Sequence, residues 1–233
     1  LASMGIYIFQ TEVLIDILKS GNEDDFGRDI IPNLLDFYRI YAYPYRKQNK
    51  IEDYVYETME DGERRLQLES HTRDSAYWRD VGNLDAYWNA NMDLTGVDPH
   101  FNLYGEKWPI HTYQVPAPPA KFVFATERAE GFRVGKALDS LFSPGCIVSG
   151  VVRNSVLSPN VIIRSWAQVD ESFIRGRVVV GRHCRIKKAI IDKNNVIPAK
   201  TTIGYNPSED RKRFTVTPRG IVVIPKGYFR EEE

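Results

Sequence analysis

The sequence predicts two architectures in one chain: a mixed α/β first part, then an all-β coil, a parallel β-helix, in the last third. Three observations predict it. From Val161, an apolar residue returns every six positions through Ala167, Phe173, Val179, Ile191, Ile197 and Ile203, and Arg185 is the one break. Neither the helix period of 3.6 nor the strand period of 2 gives a strict six, whereas a coil with three short flat sides does. The first stretch of the chain instead mixes strand-like alternation with one helical run, and five prolines (Pro99, Pro109, Pro116, Pro118 and Pro119) fall within 21 residues between the two regions.

In chain order, Met4–Phe9 has the pattern of a buried strand, so the chain looks like part of something longer. Thr11 is a candidate N-cap for a short helix over Val13–Leu18. Asp29–Leu35 reads as a second helix with Pro32 in its first turn. Phe37–Tyr45 alternates aromatic with small or polar residues and reads as a strand. Residues 46–75 are charged, with a turn at Asp61-Gly62. Tyr77–Gly82 reads as a strand entering a turn. Asn83–Leu94 is a helix, because Leu84, Tyr87, Trp88, Asn91 and Met92 recur at three and four. The Pro-rich stretch reads as a linker or surface strap. The coil opens near Cys146 and closes near Gly204. A short strand over Gly220–Ile224 and a frayed acidic tail, Glu231–Glu233, end the chain.

The totals exclude several classes. Lys+Arg and Asp+Glu both number 31 in 233 residues, so the overall charge gives no sign of a nucleic-acid or membrane partner. No apolar run approaches the length of a membrane span. The opening residues lack the basic n-region of a signal peptide, so a soluble cytoplasmic protein is the default expectation. The only cysteines, Cys146 and Cys184, cannot build a disulfide framework or a four-cysteine zinc site, and Cys184 occupies an interior-type repeat position. His71, His100, His111 and His183 show no zinc-ligand spacing. Gly131–Ala137 resembles a phosphate-binding loop but is one residue short and lacks Ser or Thr after Lys136.

Two features bear on chemistry. Residues 172–191 contain no acidic side chain but carry Arg175, Arg177, Arg182, Arg185, Lys187 and Lys188. A six-residue coil places Arg182 beside Lys188, and Lys187 beside Lys193, on successive coils. Such stacking makes either a solvated positive face or a site for a phosphorylated metabolite. Asp80 lies just before a glycine turn, where open α/β sheets present ligands and a carboxylate can hold a divalent cation; alternatively it caps the following helix.

Several motifs in register resemble glucose-1-phosphate adenylyltransferase, also called ADP-glucose pyrophosphorylase. They are residues 2–9 (Ala-Ser-Met-Gly-Ile-Tyr-Ile-Phe), 25–32 (Asp-Phe-Gly-Arg-Asp-Ile-Ile-Pro), 77–82 (Tyr-Trp-Arg-Asp-Val-Gly) and 85–94, followed by shorter matches at 118–123, 149–150, 154–158 and 191–193. The resemblance covers essentially the whole chain. It implies the C-terminal part of a Rossmann-like nucleotidyltransferase domain over 1–108, a Pro-rich linker or strap over 109–135, and a left-handed parallel β-helix over 136–233 that serves assembly and regulation. The implied activity forms ADP-glucose and pyrophosphate from ATP and glucose 1-phosphate with Mg²⁺, in glycogen or starch synthesis. Ser3 falls on the serine that contacts glucose 1-phosphate and Trp78 beside the sugar pocket. Asp80 falls on a metal-binding carboxylate. Lys193, Lys226 and Arg230 fall where regulator-binding cations lie, and Arg182 and Lys188 join them as candidates for an effector phosphate. A homo-oligomer, a tetramer, or pairing with a catalytic paralogue is implied.

The family's Gly-rich ATP loop, its first metal-binding aspartate and its sugar-phosphate lysine are not found in these residues. The expectation is therefore that this chain alone is inactive. Two alternatives are a non-catalytic regulatory or assembly subunit of the same family, and a hexapeptide-repeat acyltransferase with His183 as its base.

Overall fold

The computed structural model describes residues 3–21, 23–123, 125–128 and 131–230. Of the first part, helix α1 (Thr11–Ser20) starts two residues before the expected helix, and Gln10 rather than Thr11 holds the cap position, without a side-chain bond. The expected helix over 29–35 is a wide π-type turn over Phe26–Ile30 running into α2 (Ile31–Leu34), with Asp25 accepting from the backbone N–H groups of Gly27 and Arg28. Those bonds, above all the one from Arg28, outweigh the cost of desolvation and hold the Asp25 carboxyl below its usual range.

The strands expected at 4–9, 37–45 and 77–82 are absent among the described residues. Ile8 is 99% exposed and Phe37 81%. Their alternation marks which faces a strand would present, but a strand also needs a hydrogen-bonded neighbour. Phe37 instead lies in a turn closing on the Leu34 carbonyl, and the chain goes on to α3 (Tyr45–Gln48). The charged stretch that follows folds as an antiparallel hairpin, β1 (Asp53–Thr58) on β2 (Arg64–Glu69), turning at Asp61-Gly62 with Gly62 at φ +80°. Helix α4 (Leu84–Asp93) forms as its pattern predicts. Its cap is Asn83, which accepts from the N–H of Ala86, and not Asp80.

The last part is the predicted solenoid, a left-handed parallel β-helix. Side one stacks Lys121–Phe122, Ile147–Val148, Ile162–Ile163, Val179–Val180 and Val196–Ile197. Side two stacks Lys136–Leu138, Val151–Arg153, Gln168–Asp170, Arg185–Lys187 and Thr202–Ile203. Side three stacks Leu141–Phe142, Val156–Leu157, Phe173–Ile174, Ala189–Ile191 and Val222–Ile224. Before that last rung the chain makes an excursion through α5 (Pro207–Arg213), which the sequence pattern did not disclose.

The coil repeats every 17 residues and not 18: Ile162 pairs with Val179 and Val179 with Val196. The buried positions Val161, Ala167, Ser172 and Val178 show why, since two sides take six residues and the third takes five. A count of six therefore drifts. Phe173, Val179 and Arg185 face outward, between buried neighbours, and Arg185 is a normal outward residue instead of a broken core position. Left-handed residues mark the corners at the same spacing: Asn160, Arg177 and Asn194; Trp166, His183 and Lys200; Asn154, Glu171 and Lys188. Gly204, at φ +81°, has no room for a Cβ against the Lys187 carbonyl.

Inside, branched aliphatic side chains such as Ile163, Ile174, Ile186 and Ile197 fill the core. A serine column satisfies one inner corner: the Ser155 hydroxyl accepts from the N–H of Ser172, and the Ser172 hydroxyl from that of Ala189. Both cysteines are fully buried, and burial pushes their thiols up.

Helix α4 joins the two parts. Tyr87 packs edge-on to Phe173 of side three at 5.5 Å. The Trp88 indole donates to the Glu171 carbonyl at 3.0 Å, and Asp85 accepts from the Thr217 hydroxyl.

Candidate functional site

Ser3 and Gly5 form a tight turn. The Gly5 N–H donates to the Ser3 hydroxyl at 3.1 Å, and that hydroxyl also pairs with the Tyr7 phenol at 2.7 Å. Gly5 sits at φ +72°, which favours glycine. Tyr7 is fixed in turn by stacking on Phe26, with ring centroids 5.7 Å apart. The Ser3 hydroxyl is thus oriented by two partners while remaining exposed.

Trp78 and Asp80 lie on an exposed, irregular segment just before α4. One Asp80 oxygen, Oδ1, accepts from the Gly82 N–H at 2.8 Å. Between Trp78 and Asp80, Arg79 points back and reaches Asp93 at 3.4 Å. Asp93, the last residue of α4, also holds His100 through its ring Nδ1 at 2.7 Å and its backbone N–H at 3.1 Å. Burial pushes the Asp93 carboxyl up, but the hydrogen bonds and charge of His100, aided by Arg79, outweigh it and leave the group below its usual range. This clasp ties both ends of α4 to the segment carrying Trp78 and Asp80. Upstream, the Tyr45 phenol donates to the Tyr77 carbonyl at 3.0 Å.

No hydrogen bond or ion pair joins the Ser3 turn to the Trp78–Asp80 segment among the described residues. Nor do those residues contain a group of three or more His, Cys, Asp or Glu side chains able to hold a metal ion. Asp80 fits a divalent cation as a single ligand with one oxygen engaged by Gly82, and this part of the chain does not build a complete metal site.

The basic residues separate into three groups. Arg182 and Lys188 do not stack on successive coils, because the repeat is 17 and they lie at different corners of one coil. The Lys188 ammonium donates to the Arg219 carbonyl at 2.8 Å. Lys187 likewise does not stack on Lys193: its strand neighbour is Asp170, and its ammonium is 4.0 Å from Glu171. Lys193, Lys226 and Arg230, by contrast, are brought to one end of the coil. Asn195 performs this: its amide donates to the carbonyls of Asp192 at 2.7 Å and Pro225 at 3.0 Å, and its oxygen accepts from the Phe229 N–H at 2.8 Å. The Gly227 N–H then reaches the Lys193 carbonyl at 3.3 Å, and Arg230 Nε the Gly227 carbonyl at 3.4 Å. His183 is stacked flat on Trp166 at 4.8 Å, with no nucleophile beside it.

Residues 1–96 match the nucleotidyl transferase family, and residues 118–224 match the GlmU-like C-terminal hexapeptide family. Glucose-1-phosphate adenylyltransferase of Koribacter versatilis is 47% identical over 97% of this chain and 50% of its own length. The enzyme of the same name from Methylococcus capsulatus is 46% identical over 96% of the chain and 48% of its own length. That of an Anaeromyxobacter species is 47% identical over 97% and 52%. The chain belongs to the glucose-1-phosphate adenylyltransferase family. It spans about half the length of the relatives it matches.

For a chain of the glucose-1-phosphate adenylyltransferase family, the residues missed by sequence reasoning are those that hold others in place. Asp93 and His100 carry no motif of their own, being seven residues apart across a helix end. Asn195 is an ordinary corner residue in the sequence, and its role depends on a segment thirty residues later. Only α4 left a signal, in its apolar recurrence, without indicating that side three of the coil is what it covers.

Proposed function

We propose that this chain supplies the sugar-phosphate side and the assembly part of an enzyme that forms ADP-glucose and pyrophosphate from ATP and glucose 1-phosphate. The observation carrying this is the near half identity, over almost all of the chain, to relatives bearing that activity in their names. In the reaction, a phosphate oxygen of glucose 1-phosphate attacks the α-phosphorus of ATP, and the bond to the bridging oxygen breaks to release pyrophosphate. The Ser3 hydroxyl, oriented by Gly5 and Tyr7, binds glucose 1-phosphate. Trp78 walls the sugar pocket. Asp80 gives its free oxygen to Mg²⁺, whose other ligands come from the substrates or from residues outside this part; bound there, the ion neutralises charge on the phosphates. Arg79, Asp93 and His100 keep Trp78 and Asp80 in position.

The group of Lys193, Lys226 and Arg230 binds a phosphorylated metabolite as effector, and the solenoid assembles homo-oligomers, a tetramer in this reading, in the cytoplasm. Side-on stacking of His183 against Trp166 supports neither a general base nor an acyltransferase. The purified chain, incubated with ATP, glucose 1-phosphate and Mg²⁺, is expected to make no ADP-glucose. Mixed with a separately expressed upstream half of the Koribacter relative, it is expected to make it. Synthesis by the chain alone would overturn the division of labour, and no synthesis by an associated mixture would overturn the assignment. In the active mixture, Ser3→Ala is expected to raise the KM for glucose 1-phosphate by about 10- to 100-fold, the loss of one hydrogen bond to a charged group.

A further inference from the structure

The rest of the chain treats the three outer faces of the solenoid differently. Side three is covered: Tyr87, Trp88 and Met92 of α4 pack on Phe173 and Ile190. Side two is polar, and its charges are matched along the rungs. Arg153 pairs with Asp170 at 3.2 Å, and Lys187 lies 4.0 Å from Glu171.

Side one is neither covered nor balanced. Its outward column is Ile147, Ile162, Val179 and Val196, an apolar ladder of four rungs. No helix or strand of the chain packs over this ladder, and Ile147 is 40% exposed. The corners bordering it, residues 158–167, 175–184 and 192–201, contain six Lys or Arg and one acid, Asp192, which Arg175 already holds at 3.1 Å. Arg164, Arg177, Arg182 and Lys200 are exposed and make no ion pair among the described residues. An apolar strip rimmed by uncompensated cations is suited to an acidic partner with apolar side chains at its centre.

The same chain contains such a surface. Residues 1–108 carry 20 Asp+Glu against 11 Lys+Arg, while residues 109–233 carry 11 against 20. The excess acid concentrates in the β1–β2 hairpin, where residues 52–69 hold seven acids and two bases. One face of that hairpin is apolar and unpartnered. Tyr54 lies opposite Leu68, and Tyr56 opposite Leu66, all on one side of a two-stranded ladder. Tyr56 is 65% exposed and Leu66 54%. No hydrogen bond or ion pair joins hairpin and side one within a single chain among the described residues.

We propose that side one of the solenoid is the docking surface for the acidic hairpin of a second copy of this chain. Two ladders of the same strand spacing meet face to face, with Tyr56 and Leu66 over Ile162 and Val179, and the hairpin acids meet the corner arginines. Packing side one against another side one is disfavoured, since it sets two cationic rims opposite each other. The contact is heterologous, so it joins unlike patches and needs a further symmetry to close. It is independent of the proposed catalytic function.

The test is a charge swap read by sedimentation velocity on the whole chain, from about 1 to 100 μM. The unaltered chain is expected to self-associate, and less so as salt rises. Arg164→Glu with Arg177→Glu and Arg182→Glu is expected to weaken association at least about tenfold, and so is Glu57→Lys with Glu60→Lys and Glu63→Lys. An equimolar mixture of the two variants is expected to restore it, because each supplies the surface complementary to the other. All six positions are exposed, and unchanged circular dichroism verifies folding. Ile162→Cys mixed with Tyr56→Cys is further expected to give an intermolecular disulfide under mild oxidation, the native cysteines being buried. A chain that stays monomeric throughout, variants that associate as before, or a mixture no tighter than its components would each overturn the proposal.

Discussion

The solenoid and the first part of the chain have similar stocks of apolar residues and use them in opposite ways. In the coil, Leu157, Ile163, Ile174, Ile186 and Ile197 lose nearly all contact with solvent. In the first part, Ile6, Ile8, Phe37, Tyr41 and Tyr43 remain open, and Ile30 is the one fully enclosed aliphatic side chain among the described residues before the hairpin. A coil brings its partners from a fixed 17 residues away, so every rung finds its neighbours locally. A sheet of the α/β kind needs strands from distant sequence, and no such neighbours lie beside residues 4–9 or 37–45. Function divides in the same way. The rigid part carries surfaces and effector cations, and the open part carries Ser3, Trp78 and Asp80.

The contrast can be broken at its strongest point first. Ile174→Ala, in the coil core, is expected to cost about 2–5 kcal/mol in urea unfolding, from lost burial and the cavity left behind. Ser172→Ala interrupts the serine column and strands the buried N–H of Ala189; the expected loss is about 1–3 kcal/mol, with faster amide exchange at Ala189. Trp88→Phe keeps the ring packing on side three but removes the indole bond to Glu171. It is expected to cost about 1 kcal/mol and to raise amide exchange in α4 while the coil stays protected.

A smaller effect is the dependence on acid. Because the folded-state pKa of Asp93 lies below the ordinary 3.8, its contribution is fully present above that value and is lost as pH falls through the lower, folded value. Asp93→Asn is expected to flatten the stability curve below about pH 4 and to leave the slope above it unchanged. At the bottom of the scale, Phe37→Ala is expected to change stability by less than about 0.5 kcal/mol. A large loss there would show that the exposed aromatic segment is packed in solution.

The solenoid was legible because its rule is periodic. Eight apolar positions spaced by six suffice to announce a three-sided coil, even though the true repeat is six, six and five. The one-residue shortfall matters for the site more than for the fold. It turns Arg185 from a core anomaly into an outward side chain, and it separates Arg182 from Lys188. Helix α4 was legible from its spacing, and the Asp61-Gly62 turn from its residue types. The strands expected at 37–45 and 77–82 were not, since alternation fixes faces and leaves pairing undetermined. The Asp93–His100 clasp and the Asn195 bridge were invisible for a related reason: each joins residues whose proximity no short-range pattern encodes.

By itself the sequence determined the coil, its interior, its left-handed corners where Asn is favoured, the helix α4 and the resemblance that locates Ser3, Trp78 and Asp80. Those properties follow from the side-chain type at a fixed local spacing. Tertiary structure alone decided that α4 covers side three, that charges on side two cancel, that side one stays apolar and cationic, and that Lys193 meets Lys226 and Arg230. Each of those depends on which surfaces meet across long separations, and a count along the chain carries no term for that.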